Sequence, residues 1–88
     1  MSLYSLKNYV SINIIIPMNE RRQLGLNIKL ARMKKSLTQE QFAEKIDMSL
    51  SYVSKVEQGL TTPTALVVFK MAKVLGLSVE ELFRDIVF

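Results

Sequence analysis

Cations are the chemistry this sequence offers most of, and they are unevenly placed. Residues 1–36 carry Lys7, Arg21, Arg22, Lys29, Arg32, Lys34 and Lys35 against Glu20 alone, whereas residues 37–88 carry five bases against seven acids. Ionic contact with a polyanion is therefore available, concentrated in one block. Catalytic chemistry is poorly provided. With no Cys and no His in the chain, thiolate nucleophiles, imidazole bases, disulfides and Cys/His zinc sites are excluded. Three glycines make no phosphate-cradling loop, and the remaining Ser, Lys, Tyr and carboxylates form no set of acid, base and nucleophile. A binding protein is expected, with no catalytic residue, no metal and no cofactor.

The elements that must position these cations can be read from caps and periodicity. Eighty-eight residues suffice for one small domain. Before Pro17, the apolar Val10, Ile12, Ile14 and Ile16 alternate with intervening residues that include Ser11 and Asn13, which predicts a strand of about seven residues. After it every signal is helical. Leu24, Ile28 and Ala31 stand at i, i+4 and i+7 in a helix expected over Glu20–Ser36. Thr38-Gln39-Glu40-Gln41 is a capping box opening a helix that buries Phe42, Ala43 and Ile46 and ends near Asp47. Ser49 caps the next helix, Leu50–Gln58, with Val53 and Val56 inward and Gly59 as its stop. Pro63 marks the start of a fourth helix running to Leu75 and closed by Gly76, with Ala65, Val68, Met71, Ala72 and Leu75 on one face. Ser78 and Glu81 form a second capping box, opening a helix whose apolar residues are Val79, Leu82, Phe83 and Ile86. The expected architecture is all-α: five helices over residues 18–88, preceded by an arm of residues 1–17.

Within that frame Thr38 to Gly59 is the informative piece. Two short helices are joined by Asp47-Met48-Ser49 alone, and the second opens on small polar residues. That is helix-turn-helix geometry, in which the second helix projects its N-terminal residues into the major groove of DNA. The wording of the stretch sharpens it. Leu24-Gly25, Ala31-Arg32, Leu37-Thr38-Gln39-Glu40-Gln41-Phe42-Ala43-Glu44-Lys45-Ile46, Tyr52-Val53-Ser54-Lys55-Val56-Glu57-Gln58-Gly59 and Met71 to Phe83 closely resemble the Xre/Cro-like helix-turn-helix family. The resemblance spans about 60 residues and leaves residues 1–19 outside.

What the resemblance implies is a five-helix lambda-repressor-like DNA-binding domain acting as a sequence-specific regulator of transcription. Gln39 matches the position that grips a phosphate and braces the recognition helix, and its place at a helix start adds a positive dipole end. Leu50, Ser51, Ser54 and Lys55 match positions at or near the bases. Lys55 is suited to guanine O6 and N7, Ser49 and Ser51 to a base or a phosphate, and Leu50 to a thymine methyl. Tyr52, Gln58 and the loop hydroxyl of Thr61 complete the implied DNA surface. Arg32 and Glu57 match a pair that locks the first helix to the end of the recognition helix. The loop Leu60-Thr61-Thr62 lacks the bases often found there in the family, so its phosphate contacts would come from backbone amides and hydroxyls.

One recognition helix reads only a few base pairs, so a homodimer on a palindromic operator in double-stranded DNA is expected. Its interface is expected to use the strand residues Val10, Ile12, Ile14 and Ile16, with Leu66, Val67, Val87 and Phe88 as further apolar surface. Met18 stands directly before Asn19-Glu20, so residues 1–17 are read either as that dimerisation strand or as a disordered leader. An antitoxin-like interaction module with secondary DNA binding is the competing function. RNA polymerase or a co-encoded protein would be a further partner. No membrane partner is expected: the most apolar N-terminal run, Val10–Ile16, falls far short of the about 20 residues a spanning helix needs. A cytoplasmic location follows as an expectation.

Overall fold

The computed structural model describes residues 19–86, and five helices follow one another in them: α1 (Glu20–Lys34), α2 (Gln39–Lys45), α3 (Leu50–Glu57), α4 (Ala65–Leu75) and α5 (Val79–Leu82). No strand occurs among the described residues. Val10, Ile12, Ile14, Ile16, Val87 and Phe88 lie outside them. None of the described helices is long and apolar enough to cross a membrane.

Every helix opens on a short polar side chain that accepts an otherwise orphaned backbone N–H: Asn19, Thr38, Ser49, Thr64 and Ser78. Both expected capping boxes close. Thr38 Oγ1 accepts from Gln41 N while Gln41 Oε1 accepts from Thr38 N, and Ser78 and Glu81 do the same. One start differs from expectation. The cap of α4 is Thr64, whose hydroxyl accepts from Val67 N at 3.3 Å, so Pro63 stands outside the helix and is buried.

Helix ends share one device. Within two residues of the end of each of α1 to α4 the chain takes a left-handed backbone: Ser36 (φ 59°), Asp47 (φ 59°), Gly59 (φ 77°) and Gly76 (φ 70°). In each case the next amide reaches back five residues, as in Leu37 N→Arg32 O at 3.2 Å and Met48 N→Ala43 O at 2.9 Å. The two glycines were legible as stops. Ser36 and Asp47 stop α1 and α2 from inside segments that sequence would extend, so these helices end at Lys34 and Lys45. The final helix is also shorter than expected. Its chain leaves α5 after Leu82, and Asp85 is again left-handed (φ 64°).

The core joins Leu24 and Ile28 of α1, Phe42 and Ala43 of α2, Val53 and Val56 of α3, Val67, Val68, Met71, Ala72 and Leu75 of α4, and Leu82 of α5, with Ile46 beside them. Burial of side chains the size of Phe42 or Ile28 contributes about 1.5–3 kcal/mol each. Val67 is a correction: it is 7% exposed. On α4 the inward arc takes both 67 and 68, then 71, 72 and 75, which leaves Leu66 and Phe69 outside at 67% and 63% exposure. Ala65, expected inward, is exposed for the same reason. Buried Asn27 closes the bottom of the bundle. Its Nδ2 donates to Leu82 O (2.8 Å) and Arg84 O (2.9 Å), the carbonyls that α5 leaves unpaired where it ends.

Candidate nucleic-acid interface

Two close approaches fix where α3 points. An added Cβ at Gly25 would collide with the carbonyl oxygen of Val56 and lie 2.7 Å from that of Glu57, so α1 meets the C-terminal end of α3 backbone to backbone. At Gly59 a Cβ would sit 2.7 Å from Arg22 Cγ and 2.8 Å from Arg22 Cα, on a left-handed backbone that already favours glycine. In the sequence Gly59 reads as a helix stop, whereas Gly25 has no role assigned. The signal at Gly25 was present: a glycine inside a helical pattern lowers helix propensity and needs a packing reason.

Arg32 then locks the pair. Its Nε donates to Glu57 Oε2 at 2.7 Å and its Nη2 to Glu57 Oε1 at 3.1 Å, a bidentate contact with side chains only 10% and 2% exposed. The third nitrogen, Nη1, donates to Leu37 O at 2.6 Å, tying in the α1–α2 turn. Gln39 Nε2 donates to Glu57 Oε1 at 2.9 Å. One carboxylate thus accepts three hydrogen bonds and joins α1, α2 and α3. Such geometry meets the condition under which a buried ion pair is tolerated, namely that its polar atoms are satisfied.

What remains free is the opposite face of α3. Ser51 and Lys55 are exposed, Leu50 is half exposed, Ser54 and Tyr52 are partly covered, and Val53 and Val56 are buried. Ser49 caps the helix, accepting Tyr52 N at 3.0 Å. The implied DNA residues are not all equally available. Gln58 Nε2 folds back onto Ser54, donating to its Oγ at 2.9 Å and its carbonyl at 3.1 Å. Tyr52 leans toward α4: burial raises its hydroxyl pKa above the ordinary phenol value, and a hydrogen bond with the Thr64 backbone opposes the rise. Thr61 is half-buried in the loop that follows. Gln39 stands half-buried at the start of α2, with its side-chain amide on Glu57. The arrangement is a rigid helix, clamped at its far end, that presents hydroxyls, an amide and one lysine.

Comparison with known proteins adds the following. A family model described as helix-turn-helix matches residues 28–82. An HTH-type transcriptional regulator of Sinorhizobium fredii, y4dJ, is 35% identical over 65 residues, covering 74% of this chain and 84% of the relative. The control protein C.MunI of a Mycoplasma species is 38% identical over 58 residues, covering 66% of this chain and 78% of the relative. Among solved structures, the restriction-modification controller protein C.AhdI of Aeromonas hydrophila superposes with a TM-score of 0.68 at 31% identity, covering 70% of this chain and 94% of that one.

Proposed function

The chain belongs to the helix-turn-helix family, and on that premise we propose that it regulates transcription by binding double-stranded DNA sequence-specifically, as a homodimer on a palindromic operator. The observation that carries this reading is α3 itself: held at its C-terminal end by the Arg32–Glu57 pair, with Ser51 of its first turn and Lys55 of its last turn open to solvent on the opposite face. Lys55 reads a base, by donation to guanine O6 or N7, while Ser49 and Ser51 bond a base or the adjoining phosphate. Leu50 covers a thymine methyl. Gln39 uses one N–H on Glu57, and the second N–H of the same amide is left for a phosphate oxygen. Ser54, Gln58, Tyr52 and Thr61 line the flank of this contact and position it.

Binding, not catalysis, is its work, in the cytoplasm where the DNA is. Occupying a promoter blocks polymerase; touching polymerase from a neighbouring site recruits it, and RNA polymerase or a co-encoded protein is then the second partner. Dimerisation doubles the readout, and the exposed Leu66 and Phe69 of α4 join the arm residues Val10, Ile12, Ile14 and Ile16 and the terminal Val87 and Phe88 as its proposed surface. Selection of bound sites from a random duplex pool tests the reading. Recovered sequences should share two inverted half-sites about 10–10.5 bp apart or a multiple of that. Recovery of no shared sequence at low salt would refute it.

A further inference from the structure

DNA reading and the proposed dimer seat on α4 leave an apolar stripe unused on α1. Leu26, Leu30 and Met33 are 37%, 47% and 54% exposed, and their spacing of i, i+4 and i+7 places them in one stripe. The stripe runs about 10 Å along the helix, two turns. Its far half opens into a groove of about 780 Å³ between the end of α1 and the α4–α5 turn, with Leu30, Met33, Leu75 and Leu77 among its lining. Lys34, Lys35 and Arg84 stand around the same groove, and no carboxylate lines it among the described residues. The nearby Glu81 accepts from the Ser78 amide at its Oε1 at 2.8 Å and also attracts Arg84, whose charge it partly offsets, while Lys34 and Lys35 keep theirs. None of the residues assigned to DNA lines the groove.

We propose that this groove docks an amphipathic helix of a partner protein whose apolar stripe is flanked by carboxylates. The apolar stripe and floor match the i, i+3, i+4, i+7 anchors by which a helix lies in a groove, and the three cations select acidic flanks. Charge opposes the simplest alternative, a symmetric self-contact at this groove, because a second copy in that arrangement would bring the same cations to the same place. The chain's own residues 1–17 carry Lys7 and no acid, so they cannot neutralise the rim. Nucleic acid would satisfy the cations and leave Leu26, Leu30 and Met33 wet.

The test uses the full chain, isotope-labelled, titrated with two synthetic helical peptides. Both carry a leucine stripe at i, i+3, i+4 and i+7; one has glutamates flanking it and the other lysines. The glutamate peptide should shift the resonances of Leu30, Met33 and Leu77 and bind at least about tenfold more tightly than the lysine peptide. The doubly substituted Lys34→Glu, Lys35→Glu chain should reverse that preference. Equal binding of both peptides, shifts confined to α3, or no shift with peptide at about millimolar concentration would each overturn the proposal. Displacement of the glutamate peptide by duplex DNA would overturn it too, by making the groove part of the DNA surface.

Discussion

Glu57 shows how much can rest on one carboxylate. It accepts from Arg32 twice and from Gln39 once, inside a site that water barely reaches. Arg32→Ala leaves that charge buried with a single neutral donor, and should cost about 3–5 kcal/mol in chemical denaturation. Lys55 is the contrast. Exposed on α3, it should be replaceable by Ala with unchanged stability, while operator binding weakens by about 1–3 kcal/mol and preference relaxes at one base position. If the loss were instead equal on all sequences, with a shallower salt dependence, Lys55 would be a phosphate contact. Both residues were visible in the sequence because their neighbours are so characteristic of a helix-turn-helix. Asn27 was not. An asparagine among helical residues reads as surface, and only the fold brings the end of α5, 55 residues away, against it.

At the scale of elements, caps made the helix starts legible. A hydroxyl or amide before an apolar run has one local job, and Thr38, Ser49 and Ser78 do it as read. Stops were legible only where glycine makes them. Ser36 and Asp47 adopt the left-handed backbone because the following turns demand it, a tertiary requirement that local propensity does not contain. Ser36→Gly should therefore relieve the conformation and raise stability by about 0.5–1 kcal/mol, measured by denaturation; a destabilised variant would show the serine side chain to be needed there. The start of α5 carries a pH dependence. Hydrogen bonds from the Ser78 amide and side chain hold the Glu81 carboxyl below the ordinary carboxylate range. Its contribution is fully present above the unfolded value near about 4.3 and is lost as pH falls through the lower folded value. Protection of the amides at the start of α5, with the intrinsic pH dependence of exchange divided out, should fall across that window in the parent and show no such step in Glu81→Gln.

For the whole molecule, the pattern of apolar residues told which helices pack, and left open which apolar residues stay outside. Leu66, Val67 and Phe69 are equally apolar in sequence; only the arc that α4 turns inward separates Val67 from the other two. The exposed pair is the seat we propose for the dimer. Leu66→Glu should lower the sedimentation coefficient toward the monomer and, through lost bivalency, weaken operator binding. Deleting residues 1–17 tests the other seat: loss of the dimer on deletion, with Leu66→Glu still dimeric, would move the interface from α4 to the arm.

The central claim is that α3 reads DNA while its far end is clamped. Chemical-shift mapping of the labelled chain against its selected duplex tests it most directly. Shifts concentrated at Gln39 and at Ser49 to Lys55, with Leu30 and Met33 unmoved, are the predicted result. Shifts centred on Lys34, Lys35 and Arg84, or no shift even at low salt, would contradict it.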